Sequence, residues 1–95
     1  MVEFWELVKL DKRFIHWIAY NEREISEAFK KKYVVIGDTG EREYVIQGRD
    51  TLELVKEEVE IFNDEGYGVE IAIFDVEKMK ELSFKIKTSI QIKEE

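Results

Sequence analysis

The sequence predicts a single α+β domain: helices at the N-terminus, then a β-hairpin, a helix and two further strands. Three observations carry this reading. Apolar residues recur at about 3.6-residue spacing through residues 1–32 and again from Leu52 to Phe62, the period of a helix with one buried face. β-Branched and aromatic runs at Tyr33–Ile36, Tyr44–Ile46 and Val69–Phe74 are bounded by turn-forming residues. Residues 83–92 alternate apolar and polar positions, the period of a strand with one wet face. This order implies a four-stranded sheet, antiparallel or mixed, with the helices on one face.

The elements follow in turn. Phe14, Ile15, Ile18, Ile25, Ala28 and Phe29 form one helical stripe, and Phe4, Leu7 and Val8 an earlier one. Asn21 would fall inside the longer stripe, a poor place for an amide. Asn21-Glu22-Arg23-Glu24 instead reads as a helix cap with an acid at the third position, so a break is expected near Tyr20-Asn21. Asp11 interrupts the first stripe and can cap the helix that follows. Lys30, Lys31 and Lys32 close the helical part, where cations complement the helix dipole. Gly37-Asp38-Thr39-Gly40 supplies the hairpin turn. Asp50-Thr51-Leu52-Glu53 is a second capping signature, opening a helix with Leu52, Val55, Val59 and Phe62 on one face. Asn63-Asp64-Glu65-Gly66 ends it, with Gly66 expected as the left-handed residue. Val69–Phe74 is apolar at nearly every position and reads as a central strand. Asp75–Leu82 reads as a short helical turn or connector. In the last strand Phe84, Ile86, Thr88, Ile90 and Ile92 face one way, and Lys85, Lys87, Ser89 and Gln91 the other.

At 95 residues the chain has the length of one domain, and its 44% apolar content is enough for a core without staples. Charged residues make up 39%, well above the usual share of about a quarter, and the formal charge is −7. That charge is uneven. Residues 1–32 carry seven bases and six acids, whereas residues 33–95 carry eight bases and sixteen acids. The domain therefore divides into a near-neutral, aromatic-rich helical arm (1–32) and an acidic ββαββ body (33–95). Eleven of the bases are Lys and seventeen of the acids are Glu, a thermophile-like composition that the absence of Pro opposes.

Several classes of chemistry lack their residues. There is no Cys, which excludes a disulfide framework, a thiolate zinc site and a Cys nucleophile. The one His, His16, falls opposite the apolar stripe and leaves few routes to acid–base chemistry near neutral pH. No Gly-rich phosphate loop is present, and no cofactor is expected. No apolar run approaches the length of a membrane span, and the first residues lack a basic signal-like region, so a cytoplasmic location is the expectation. Glu57, Glu58 and Glu60 read as a solvated helix face.

Asp38-Thr39-Gly40 resembles the catalytic motif of aspartic proteases, and Val45-Ile46-Gln47-Gly48-Arg49-Asp50 resembles the segment leading into their C-terminal helix. Those proteases are almost wholly β, with many strands between the two motifs. Here one short strand separates them and a third of the chain is helical, so the motif reads as a hairpin turn. The helix-helix-hairpin order of residues 11–48 loosely resembles a winged helix. The acidic body and an acidic hairpin tip, with Asp38, Glu41 and Glu43, weigh against nucleic acid.

Trp5, Leu10, Trp17 and Tyr20 lie off the centre of the helical stripe. They are the candidates for a protein contact, because Trp and Tyr offer large area with a polar handle. The expected function is a small non-catalytic domain that binds itself or another protein. The alternative is a nucleic-acid or regulatory module using a basic face of Lys85, Lys87 and Lys93 on the last strand.

Overall fold

The computed structural model describes residues 3–41, 43–65, 70–86 and 90–93. Two helices come first, α1 (Phe4–Leu10) and α2 (Phe14–Ala28). The hairpin β1 (Tyr33–Asp38) and β2 (Tyr44–Arg49) follows, then α3 (Leu52–Asp64), β3 (Glu70–Asp75), β4 (Lys80–Ile86) and β5 (Ile90–Lys93). The fold is α+β. Four strands form an antiparallel sheet in the order β2-β1-β3-β4, and β5 extends it beyond β4.

The fifth strand arises inside the segment read as one strand. β4 begins at Lys80, within the expected connector, and turns back so that Phe84 stands opposite Ile92 and Ile86 opposite Ile90. Even-numbered positions thus meet even-numbered positions across the hairpin. The period-2 pattern runs through the reversal without a break, which hides the reversal from a reading by period. Among the described residues the connector from β3 to β4 is a tight turn at residues 76–79. Met79 adopts a left-handed φ of 50° there, and the Asp75 carboxylate accepts from Lys78 N–H at 3.0 Å.

The helices divide between the two faces of the sheet rather than sharing one. Val34 and Ile36 of β1, Ile46 of β2, and Ala72 and Phe74 of β3 pack against Leu7, Phe14, Trp17, Ile18, Ile25 and Ala28 of α1 and α2. Val35, Ile73 and Leu82 pack on the other face against Val55, Val59 and Phe62 of α3. The reason lies in β1 and β3, whose consecutive residues are buried on both sides and so need cover on both. At β4 the α2 side is uncovered, and Glu81, Ser83 and Lys85 there are exposed.

Local signals act as read. Asn21 has a non-helical φ of −142° and kinks α2 at the expected place. The Asp11 carboxylate accepts from Arg13 N–H at 2.9 Å, and the Thr51 side chain accepts from Leu54 N–H at 3.2 Å at the start of α3. Lys30, Lys31 and Lys32 lie just past the end of α2, whose C-cap is Phe29. α3 has its C-cap at Glu65, and the expected role of Gly66 lies outside the described residues.

Two glycines set how close helix and sheet come. A Cβ on Gly37 would meet the Phe62 ring at 2.8 Å, on the α3 face. A Cβ on Gly48 would stand 2.6 Å from the Ala28 carbonyl oxygen and 2.9 Å from its Cα. The backbone of α2 therefore rests directly on β2.

Candidate interaction surface

The four candidate contact residues occupy different layers. Trp17 is 3% exposed and belongs to the core. Its ring meets Phe14 edge-on at 4.9 Å and Phe74 at 6.1 Å. Its area is therefore spent inside the domain. Leu10 is half-buried against the same core. Trp5 is 62% exposed and Tyr20 61% exposed, and Phe4 and Ile15 also show half or more of their surface.

α1 explains the exposure at the N-terminal end. It has seven residues and buries Leu7, with Val8 and Leu10 packed beside it, so Phe4 and Trp5 are turned outward. Tyr20 comes from the last position before the kink of α2. Its ring lies 6.4 Å from that of Tyr44, the first residue of β2. The apolar exposure of the helical layer therefore has two ends, one on α1 and one beside the β2 edge.

Arg13 holds the helical arm to the sheet. Its guanidinium donates to both oxygens of Asp11, with Nη2–Oδ2 at 2.6 Å, and also reaches Glu70 of β3 and Glu81 of β4, the latter at 2.8 Å. It also lies over the Trp17 ring at 5.0 Å. Glu70 stands opposite Asp38 in the sheet register, an arrangement of like charges that a cation offsets. Hydrogen bonds from the Arg13 side chain hold the Asp11 carboxyl below the usual carboxylate range, and Asp11 in turn raises the Arg13 pKa. No sequence signal links these four residues beyond Asp11-x-Arg13, because Glu70 and Glu81 come from strands far along the chain.

The other candidate groups have local roles. Asp38 accepts from Gly40 N–H at 2.8 Å, and the Thr39 hydroxyl donates to the Glu43 carbonyl at 3.0 Å. Gly40 has a φ of 87°, so Asp-Thr-Gly builds the hairpin turn. His16, Glu57 and Glu60 are exposed, as expected of surface positions. Glu58 departs from the expected solvated face: it is half-buried and paired with Arg49 of β2. Lys85 is exposed on β4, Lys87 lies outside the described residues, and Lys93 is described only as the β5 position opposite Ser83.

Among the described residues no group of three or more His, Asp or Glu is placed to hold a metal ion. No helix among the described residues is long and apolar enough to cross a membrane. Three surface hollows are notable among the described residues. One of about 480 Å³ runs between the second half of α2 and β2, lined by Arg23, Glu27, Ala28, Lys31, Ile46 and Gly48 among others. A second of the same size lies beside Trp5, Leu10 and Met79, and one of about 200 Å³ separates α1 from α2. No protein family, curated protein or solved structure matches the chain.

Proposed function

We propose that the chain is a non-catalytic protein–protein interaction domain that associates with itself. The observation that carries this reading is the half-or-more exposure of Phe4, Trp5, Ile15 and Tyr20 on one helical layer. Large aromatics left in water beside a filled core are a feature of contact surfaces. A nucleic-acid reading has less support. Lys85 shares its face of β4 with Glu81, and the nearby Arg13 is already engaged by three carboxylates.

Sedimentation equilibrium over a wide concentration range tests the reading. The mass should rise above 11.4 kDa with concentration. Trp5→Ala at the α1 end or Tyr20→Ala at the β2 end, according to which end makes the contact, should weaken the association by about tenfold, the effect of losing an aromatic anchor. A mass fixed at the monomer value would refute self-association. A rise that neither variant alters would remove the aromatic residues as its site.

A further inference from the structure

Among the described residues β2 lies at the end of the sheet, paired with β1 on one side only. A free edge strand is a template for another strand, and proteins protect such edges with Lys, Pro or bulges. β2 reads Tyr-Val-Ile-Gln-Gly-Arg: its one charge, Arg49, stands at its end, it has no Lys or Pro, and its register with β1 is unbroken from Tyr44 to Arg49.

The hairpin shows which of its backbone groups face outward. Thr39 N–H donates to the Glu43 carbonyl at 3.1 Å, so that opposed pair is a hydrogen-bonded one. Bonded and non-bonded pairs alternate along an antiparallel ladder. Val45, Gln47 and Arg49 therefore turn their backbone groups toward β1, whereas Tyr44, Ile46 and Gly48 turn theirs outward. A second observation agrees: the Gly48 carbonyl accepts from the Arg49 guanidinium at 2.7 Å rather than from a strand.

We infer that β2 is the contact between two copies of this chain, paired antiparallel across a twofold axis at Ile46. This rests on the self-association reading and gives it a location. The register follows from the ladder. Outward-facing residues must oppose outward-facing residues, and only an axis at Ile46 pairs Tyr44, Ile46 and Gly48 all at once, giving about six new backbone hydrogen bonds. A slip of two residues in either direction leaves one of them without a partner.

Side chains agree with this register. Each Glu43 stands opposite Arg49 of the other copy, a charge match made twice by symmetry. Tyr44 stands opposite Gly48 of the other copy, beside the 480 Å³ hollow lined by Ala28, Ile46 and Gly48, where its ring has room. Tyr44 N–H takes the place of the Arg49 Nη1 on the Gly48 carbonyl, and the nitrogen so released reaches the neighbouring Glu43 carboxylate while Nη2 stays on Glu58. Tyr20, in ring contact with Tyr44, is the exposed aromatic residue that borders this seam.

The test uses the full chain in sedimentation velocity, with circular dichroism as a check on folding. Tyr44→Pro removes an outward N–H that β1 does not use, so the monomer should fold and the dimer should be lost. Glu43→Arg, at an exposed position, places a cation opposite Arg49 at each of the two symmetry-related sites and should weaken the dimer by about tenfold. The chain has no Cys, so disulfide trapping reads the register directly. An equimolar mixture of Val45→Cys and Gln47→Cys chains should oxidise mainly to the mixed dimer, because these positions face each other. A dimer that survives Tyr44→Pro and Glu43→Arg but is lost in Trp5→Ala would overturn the inference and leave the self-association reading standing. Like-with-like disulfides dominating the mixture would overturn the register. A chain that stays at 11.4 kDa would overturn both the inference and the reading beneath it.

Discussion

Gly48→Ala tests the packing that positions the β2 edge. The added methyl would lie 2.6 Å from the Ala28 carbonyl oxygen, 2.9 Å from Ala28 Cα and 2.8 Å from Lys31 Cγ. The Lys31 contact is soft, because a flexible side chain can swing away. The two Ala28 contacts are backbone, and relieving them means lifting the end of α2 from the sheet. Ile25 and Ala28 are buried between the same helix and strand, so the lift also opens the core. Overpacking of this kind costs about 1–3 kcal/mol. Replacing Gly with Ala also restricts the unfolded chain, which returns about 0.4–1 kcal/mol where the new residue fits. The expected net loss is about 1–2 kcal/mol. For a domain of this size it corresponds to a fall in Tm of about 5–15 °C. Urea unfolding followed by circular dichroism, at a concentration where the chain is monomeric, reads the midpoint. Adding Lys31→Ala should recover only a small part, since it removes the soft contact alone. A Gly48→Ala protein as stable as the parent would show that α2 is not seated on β2 by this contact.

Three other outcomes follow from the packing. Trp17→Ala should cost about 3–5 kcal/mol and Trp5→Ala less than about 0.5 kcal/mol in urea unfolding, and acrylamide should quench Trp5 far more than Trp17. Thr51→Ala should lower stability by about 1 kcal/mol through loss of the α3 cap, with Thr51→Ser largely neutral. Asp11 has its pKa lowered in the fold, so its contribution is present above the unfolded value near 3.9 and is lost as pH falls through the lower folded value. Urea midpoints from about pH 6 to pH 2 should show this loss below about pH 4. Arg13→Ala should remove that part of the acid sensitivity and cost about 1–2 kcal/mol at neutral pH.

Much of the fold was legible because it is written in local chemistry. Asp11, Thr51 and the Asp-Thr-Gly turn each act through neighbours a few positions away, and the break expected near Tyr20-Asn21 falls at Asn21. The division of helices between two faces, against the single covered face expected, had a signal that the expectation passed over. Val34-Val35-Ile36 has no polar side, and a strand buried on both faces needs cover on both. The β4–β5 reversal was not legible, since its register preserves the alternation on which the reading depended. The turn before it carries neither Gly nor Pro, and its left-handed residue is Met79. The same limit applies at the surface. Exposure of Trp5 and burial of Trp17 depend on how a seven-residue helix sits on its neighbour, which spacing alone does not encode.

The strand order also bears on how the chain reaches its folded state. β1–β2, β3–β4 and β4–β5 are neighbours in sequence as well as in space, so each closes over a short loop. The β1–β3 seam differs, because Tyr33 meets Asp75 and Asp38 meets Glu70 only after the whole of β2 and α3 has been looped out. That closure carries the largest chain-entropy cost among the strand pairings. It is also the step that brings the two cores, one on each side of β1 and β3, under a single cooperative transition. The seam is therefore where folding speed is set: substitutions in Val34, Val35, Ala72 or Ile73 should slow folding, whereas those in β5 should mainly speed unfolding.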